Sequence, residues 1–170
     1  LALENPDAIL IETMTDIAEA RCAVLAARSV TDIPVFASVT FGLNGRMDLS
    51  GTDPETAAVI LEAAGADAVG MNCGLGPEQI LPLVERMAAA TSLPLVVQPN
   101  AGLPRLEDGV TVFPGTPDEM GEYATRFVDA GATLVGSCCG STPSFTAAIQ
   151  DFAKQKELRT DRTGLPGLVL

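Results

Sequence analysis

The sequence contains no histidine and few positively charged residues. Without histidine, the chain lacks the side chain that most often titrates near neutral pH. Only 10 Lys and Arg residues stand against 22 Asp and Glu residues, and the formal net charge of −12 would repel the phosphates of a nucleic acid. A basic stripe with interleaved aromatic residues, the usual mark of a nucleic-acid surface, is also missing. We therefore expect no nucleic-acid partner.

Long apolar segments are absent as well. No run reaches the roughly 18 residues of a membrane span, and the N-terminus lacks the charged start and apolar core of a signal peptide. These absences predict no membrane partner and a cytoplasmic, reducing setting. In that setting a cysteine cluster is more often catalytic or metal-binding than part of a disulfide framework. The 47% of apolar residues in 170 is enough for a buried core.

Short apolar runs alternate with segments of helical period along the chain. The helical segments include residues 16–29 and 54–65, and capping side chains precede a proline at Asp53, Thr116 and Thr142. Strict alternation of this kind predicts parallel βα units. The predicted strands are residues 8–14, 34–41, 68–73, 94–100 and 133–139.

The βα units repeat in pairs. AGADAVGMNCG (64–74) aligns with AGATLVGSCCG (130–140), so that Cys73 falls on Cys139 and Asn72 falls on Cys138. A second pair, 31–42 with 91–102, places Thr40 on Asn100. Matched positions in a parallel sheet lie at the C-terminal ends of the strands, where α/β proteins place their ligands. Three cysteines are therefore expected to converge on one rim.

The repeat by itself does not choose between an open sheet and a barrel. No glycine-rich phosphate loop, of either the dinucleotide or the P-loop type, follows a predicted strand. Thiols and amides occupy the strand ends instead, which favours a barrel rim built from several strands. A (β/α)₈ barrel usually needs roughly 250 residues, and this chain has only five predicted units.

Three thiols at one rim are chemically suited to zinc. Three protein ligands with an open fourth position form a catalytic zinc site, whereas four cysteines would close it into a structural one. Cys22 is expected to be buried packing in the middle of a helix rather than a ligand. Cys138 and Cys139 can reach one ion only if their strand ends or bends there, which Gly136 and Gly140 permit. The alternatives for the adjacent pair are two packed thiols or a vicinal disulfide.

Two cysteine motifs resemble those of a known protein family. GMNCG (70–74) and GSCCGSTP (136–143) resemble the zinc motifs of the homocysteine S-methyltransferases, in which one cysteine follows the sixth barrel strand and a pair follows the eighth. QPNAGLP (98–104) and the following EDGVTVFPGTPDEM segment are most similar to the homocysteine-binding domain of bacterial cobalamin-dependent methionine synthases. The chain departs from the pattern at Ser137, where the family usually has glycine, and it lacks the acidic-glycine motif of the first strand.

The resemblance implies a fold: the C-terminal five βα units of a (β/α)₈ TIM barrel, with parallel strands and an incomplete barrel. Residues 1–170 would then be a partial homocysteine-binding barrel domain, with the first three units missing and residues 154–170 as a C-terminal tail. Five strands cannot close a barrel, so the strands at 8–14 and 133–139 are expected to present unpaired edges. Such a chain should self-associate or pair with the missing units.

The resemblance also implies a reaction and its residues. Cys73, Cys138 and Cys139 would hold Zn²⁺ and activate the thiol of homocysteine, which becomes methionine by accepting a methyl group. Methylcobalamin, bound by another domain or protein, is the expected donor, with cobalamin- or folate-binding domains as partners. Glu12 would hold the substrate ammonium group. Further substrate-binding candidates, each equally readable as a strand-end cap, are Thr13, Ser38, Asn72 and Asn100.

Other readings stay open. Betaine or S-methylmethionine could serve as the donor, or the chain could be a zinc-binding or merely folded piece without catalytic activity. The Asp-Gly pair within residues 106–113 predicts a small hairpin on the rim. This hairpin would cover the site, meet another domain, or have no role beyond the loop itself.

Overall fold

The computed structural model describes residues 2–4, 6–155 and 168–169 of this chain. In this part of the chain the main sheet has six strands, all parallel, in the order β1-β2-β3-β4-β7-β8. The predicted α/β fold with parallel strands is confirmed. The strands of this sheet are β1 (Ile9–Met14), β2 (Val35–Val39), β3 (Ala68–Asn72), β4 (Leu95–Gln98), β7 (Leu134–Val135) and β8 (Leu168–Val169).

Within the same residues, five α-helices connect or follow the strands, with a short 3₁₀ turn at Ala2–Glu4 before them. Asp16, Asp53 and Thr116 cap three of these helices by accepting hydrogen bonds from first-turn backbone N–H groups, and Thr116 forms a complete capping box with Glu119. The helix between β3 and β4 follows the predicted alternation of strands and helices, although its bounds were not predicted. The helices are α1 (Ile17–Arg28), α2 (Pro54–Ala63), α3 (Pro77–Ala90), α4 (Pro117–Asp129) and α5 (Pro143–Gln155).

Both faces of the sheet are apolar. The larger core lies between the sheet and the helices, where residues such as Leu61, Met87 and Phe127 are almost completely buried. The opposite face carries a smaller cluster from four adjacent strands, namely Phe36, Ala68, Val96 and Leu134. Because side chains alternate along a strand, this second cluster lies on the face away from the helices. A sheet buried on both faces is what the continuous apolar runs of a parallel α/β protein predict.

Strand β7 is shorter than predicted. Only Leu134 and Val135 are in strand conformation, although residues 133–139 were expected to form a strand. The chain stays hydrogen-bonded to β4 and to the residue after it, through Gly136 N to Val97 O at 3.0 Å and Cys138 N to Pro99 O at 2.8 Å. It then turns at Cys139 and Gly140. The strand therefore ends before the cysteine pair, as two adjacent ligands of one ion require.

The expectation of two unpaired edges is wrong for β7. Strand β8 pairs with it in parallel, with Leu134 opposite Leu168 and Val135 opposite Val169. The backbone groups of an exposed edge are satisfied by an added strand, and here the chain's own residues supply it. Strand β1 pairs only with β2 among the described strands. Helix α5 extends to Gln155, and residues 156–167 of the predicted tail lie outside the described residues.

The predicted hairpin is confirmed. Strands β5 (Arg105–Glu107) and β6 (Val110–Val112) pair in antiparallel fashion around Asp108 and Gly109, which have φ values of 48° and 81°. Positive φ at both central residues is the mark of the tight turn that an Asp-Gly pair favours. None of the described helices is long and apolar enough to cross a membrane.

Candidate metal centre

Three cysteine thiols meet at the C-terminal ends of the strands. The Sγ atoms of Cys73, Cys138 and Cys139 all lie within 4.8 Å of one another, and the Cys73 and Cys139 sulfurs are 3.7 Å apart. Cys73 directly follows β3, and the adjacent pair follows β7. The repeat predicted this convergence, because it aligned Cys73 with Cys139.

The spacing of these sulfurs suits a tetrahedral metal ion. Zinc–sulfur bonds of about 2.3 Å at tetrahedral angles separate two sulfur ligands by about 3.8 Å. The 3.7 Å between Cys73 and Cys139 matches that separation. Three thiols leave one position of a tetrahedron for a further ligand, and all four cysteines of the chain are free of disulfides. The residues present therefore fit a zinc ion with an open position.

The backbone at Cys73 is in an unusual conformation. Its φ is +60°, in the left-handed region that non-glycine residues seldom enter, and Gly74 continues the turn at φ +68°. The turn is closed by a hydrogen bond from Leu75 N to Cys73 O at 2.7 Å. Left-handed backbone at a residue with a side chain costs on the order of 1–2 kcal/mol, so the surrounding structure has to impose it.

Asn100 organises the turn that carries the cysteine pair. Its Oδ1 accepts a hydrogen bond from the backbone N–H of Cys139 at 3.1 Å, and its side chain is 3% exposed. The carbonyl of Cys139 in turn accepts from the backbone N–H of Ala101 at 2.9 Å. The loop after β4 thus holds the Cys139 backbone from both sides.

Asn72, Ser38 and Thr13 form one hydrogen-bonded group beside Cys138. Ser38 and Asn72 are completely buried, whereas Thr13 is exposed. Asn72 Oδ1 accepts from Ser38 Oγ at 2.7 Å and from the backbone N–H of Thr13 at 2.8 Å. Asn72 Nδ2 donates to Thr13 Oγ1 at 2.7 Å and lies 3.9 Å from Cys138 Sγ. These three candidate residues are therefore brought together next to the thiols.

In the absence of a bound cation, the surroundings of Cys138 and Cys139 disfavour deprotonation of their thiols. Burial, followed by the neighbouring Cys73, raises the pKa of the Cys138 thiol to about 11. The pKa of Cys139 is also raised, first by its hydrogen bond with Cys73 and then by burial. Clustered groups that would become anionic together resist ionisation, and a bound cation reverses that effect. The cluster is electrostatically suited to a cation.

Glu12 lies one residue before Thr13, near the end of β1, and its side chain is exposed. No hydrogen bond or ion pair joins it to another described residue. Register slips between Ile11 and Met14 in the pairing of β1 with β2, and Thr13 itself has a φ of +60°. The strand is therefore distorted at the predicted substrate-binding residues.

The prediction that Cys22 is buried is wrong, whereas the prediction that it lies away from the other three cysteines is correct. Cys22 is exposed on α1, whereas the sequence predicted that it would be buried in the core. Residues Ala20 and Val24, on either side of it in sequence, supply the buried face of this helix instead. Helical periodicity limits the buried face to one side, and Cys22 falls outside it. It lies outside the three-cysteine cluster, as predicted.

The family can be identified from a sequence comparison over most of the chain. The homocysteine S-methyltransferase family model matches residues 1–153. The chain belongs to this family. Methionine synthase from Mycobacterium tuberculosis is 38% identical over 144 residues, and that from Mycobacterium leprae is 37% identical over 143 residues. In each case 81% of this chain aligns with 12% of the relative, so the chain spans about an eighth of the curated relatives that it matches.

Solved structures show the same fold. The apo form of the homocysteine methyltransferase MmuM from Escherichia coli superposes with a TM-score of 0.73 at 24% identity, covering 89% of this chain and 51% of that one. Its metallated form superposes with a TM-score of 0.72 at 23% identity, covering 89% and 46%. The family match and the methionine synthase relatives confirm the predicted resemblance to homocysteine S-methyltransferases, and the solved structures add the fold.

The sequence analysis did not predict two features of this family member that lie near the cysteines. Gln98 pairs with Asn72 across β3 and β4, and its buried Oε1 has no hydrogen-bond partner among the described residues. In the sequence, the only signal for Gln98 is its place at a strand end beside Pro99.

Phe113 packs on the cysteine turn so closely that a Cβ on Gly140 would lie 2.3 Å from its ring. The hairpin is thus anchored on the cysteine turn by the residue that follows its second strand.

A cavity of about 640 Å³ opens beside Cys138. Five of its eight lining residues carry a hydroxyl or amide group, and several belong to the start of α5. The polar lining residues are Ser137, Ser141, Thr142, Thr146 and Gln150.

Proposed function

We propose that this chain is the zinc-binding, homocysteine-binding part of an S-methyltransferase that converts homocysteine to methionine. One observation supports the proposal above all others: three thiols within 4.8 Å of one another in a chain of the homocysteine S-methyltransferase family. The metallated form of MmuM shows that a protein of similar fold is found with metal.

Cys73, Cys138 and Cys139 are the proposed zinc ligands. When bound, zinc supplies a Lewis acid that keeps the substrate thiol in its thiolate form near neutral pH, where a free thiol with a pKa of about 8.5 is mostly protonated. The sulfur of homocysteine then forms a bond to the methyl carbon as the donor's bond to that carbon breaks, and the thiol proton has already passed to solvent. No general base is needed, which fits a chain without histidine.

The remaining substrate contacts are proposed at the same rim. Glu12 is exposed at the end of β1 and is available for the substrate ammonium group. Of the other candidates, Thr13 and Asn100 stand beside the cysteines, whereas Ser38 and Asn72 are completely buried and bond to one another. The cavity next to Cys138 has room for a small amino acid. The few polar groups that line a ligand pocket usually fix the orientation of the bound ligand.

We propose methylcobalamin, held by another domain or protein, as the methyl donor. The support is that both curated relatives are named methionine synthases and extend far beyond the matched segment, which leaves room for cobalamin- or folate-binding domains. A reducing, cytoplasmic location is proposed because the cluster needs its thiols free.

Zinc content of purified protein tests the ligand set. We expect about one zinc per chain, lost in Cys73→Ala, Cys138→Ala and Cys139→Ala but retained in Cys22→Ala. Cys22 is the matched control, because it is a free thiol outside the cluster. Zinc retained by Cys73→Ala and lost by Cys22→Ala would overturn the assignment.

Methyl transfer to homocysteine, assayed in the full-length protein with each donor separately, tests the reaction. Methylcobalamin should support methionine formation, and betaine or S-methylmethionine should not. Transfer from betaine in the absence of any corrinoid would refute the proposed donor, and no transfer from any donor would leave only a zinc-binding protein.

A further inference from the structure

The Asn72 amide contacts both the Cys138 thiol and Thr13, which lies at the distorted end of β1. We propose that Asn72 is a positioning residue: it aims an N–H group at the Cys138 sulfur and is itself held in that orientation by the backbone of Thr13. The inference rests on the proposed function, because it treats Cys138 as a metal ligand. It gives Asn72 a role different from the direct substrate contact expected from the sequence.

The Asn72 amide has no capacity left for a substrate. A primary amide offers two N–H donors and a carbonyl oxygen with two lone pairs. The oxygen accepts from Ser38 Oγ and Thr13 N, and the nitrogen donates to Thr13 Oγ1 with Cys138 Sγ as its second neighbour. With the side chain completely buried, all four positions are filled from within the protein.

The orientation of this amide is dictated by its surroundings. A backbone N–H can only donate, so the group 2.8 Å from Thr13 N has to be the amide oxygen. If the amide were flipped, its NH₂ group would face the Thr13 N–H, donor against donor. The oxygen is therefore fixed on the Thr13 side, and an N–H is left to face Cys138.

Thr13 is strained in the conformation that makes this possible. Its φ of +60° is unusual for a β-branched residue, whose side chain crowds the backbone in the left-handed region. Such strain persists only where neighbouring groups over-determine the conformation, and it clusters at functional sites. Here the Asn72 amide makes two hydrogen bonds to the same residue, to its backbone N–H and to its hydroxyl.

The arrangement suits a thiolate at Cys138 better than a thiol. A metal-bound thiolate has only acceptor capacity on its sulfur, and the group that faces it is a fixed donor. Hydrogen bonds from outside the ligand set orient metal ligands and tune their donation to the metal. The same amide holds Thr13, the distorted strand residue after Glu12, so the proposed substrate-binding end of β1 and a proposed metal ligand share one support.

Cobalt(II) substitution provides a readout that a merely structural role would not change. An N–H directed at a coordinated sulfur stabilises its lone pairs, so charge transfer from sulfur to cobalt needs more energy while that hydrogen bond is present. In the full chain, Asn72→Ala should shift the charge-transfer absorption to longer wavelength and weaken cobalt binding by about 10- to 100-fold, the range for lost outer-shell partners. Thr40→Val is the matched control. Thr40 donates to the backbone carbonyl of Asn72 at 3.0 Å, so its removal disturbs the same residue but not the amide.

A second variant keeps the test decisive if Asn72→Ala does not fold. Asn72→Asp preserves the volume and the oxygen that accepts from Ser38 and Thr13, but it places an acceptor opposite the sulfur, so the charge-transfer absorption should move to longer wavelength at least as far as in Asn72→Ala. The inference would be overturned, with the metal site intact, if both Asn72 variants gave the same charge-transfer band position as Thr40→Val and cobalt affinities within twofold of it. Absence of a sulfur-to-cobalt band in the unmodified protein, or a band unaffected by Cys138→Ser, would instead refute the proposed function.

Discussion

Gly140, the residue directly after the cysteine pair, offers a sharp test of how the hairpin is anchored on the cysteine turn. Its φ is +81°, and a Cβ at this position would lie 2.3 Å from Phe113 Cγ and 2.7 Å from Phe113 Cδ2. Gly140→Ala therefore adds two costs. The left-handed backbone costs about 1–2 kcal/mol for a residue with a Cβ, and forcing a methyl group against a ring adds about 1–3 kcal/mol. The expected loss in the free energy of unfolding is about 2–5 kcal/mol.

Gly109 supplies the matched control, because it has the same φ of +81° and no atom lies within 4 Å of the place where a methyl group would be added. Gly109→Ala should therefore cost only the backbone part, about 1–2 kcal/mol. Urea denaturation curves of both variants measure the difference. The double variant Gly140→Ala with Phe113→Gly should recover most of the steric part, since the two residues are in contact and an alanine at 113 would keep a Cβ 2.4 Å from the new methyl group. Equal destabilisation by Gly140→Ala and Gly109→Ala would refute the packing of Phe113 on the cysteine turn.

Substitutions at three further positions have defined outcomes. Gly70→Ala should destabilise the sheet by about 3 kcal/mol or more in a urea melt, because the new Cβ would lie 2.0 Å from the carbonyl oxygen of Val96; a change below about 1 kcal/mol would contradict this close strand approach. Asp53→Ala should cost about 1 kcal/mol through the lost N-cap. Hydrogen bonds from Thr56 hold the pKa of Asp53 below its usual value, so its contribution is present above about pH 4 and is lost as pH falls through the lowered pKa; Asp53→Asn should remove this pH dependence while keeping the cap, and identical acid titrations of the two proteins would argue against it. Glu12→Gln should weaken homocysteine binding by about 1–3 kcal/mol, the range for hydrogen bonds to charged groups, without changing zinc content, and unchanged affinity by calorimetry would remove Glu12 from the site.

The local elements of this protein could be read from its sequence. Asp53 and Thr116 start helices where they were expected to, because capping depends on a side chain and backbone groups only two or three residues away. The Asp-Gly pair at Asp108 made its hairpin for the same reason. The convergence of Cys73 with the pair at 138–139 was also predictable, since a repeated βα unit brings matched strand ends to one rim of a parallel sheet.

Contacts between distant segments were decided only by the tertiary structure. The helical face that is buried depends on what packs against it, and Cys22 proved to be exposed. Nothing in the local sequence indicates that β8 covers the edge of β7, or that Phe113 rests on Gly140. The orientation of Asn72 is the clearest case: a strand-end asparagine is equally suited to bind a substrate or to support a ligand, and its role depends on a backbone N–H 59 positions away in the chain, at Thr13. Hydrogen bonding in a buried site is set by all the partners at once, and those partners come together only when the sheet forms.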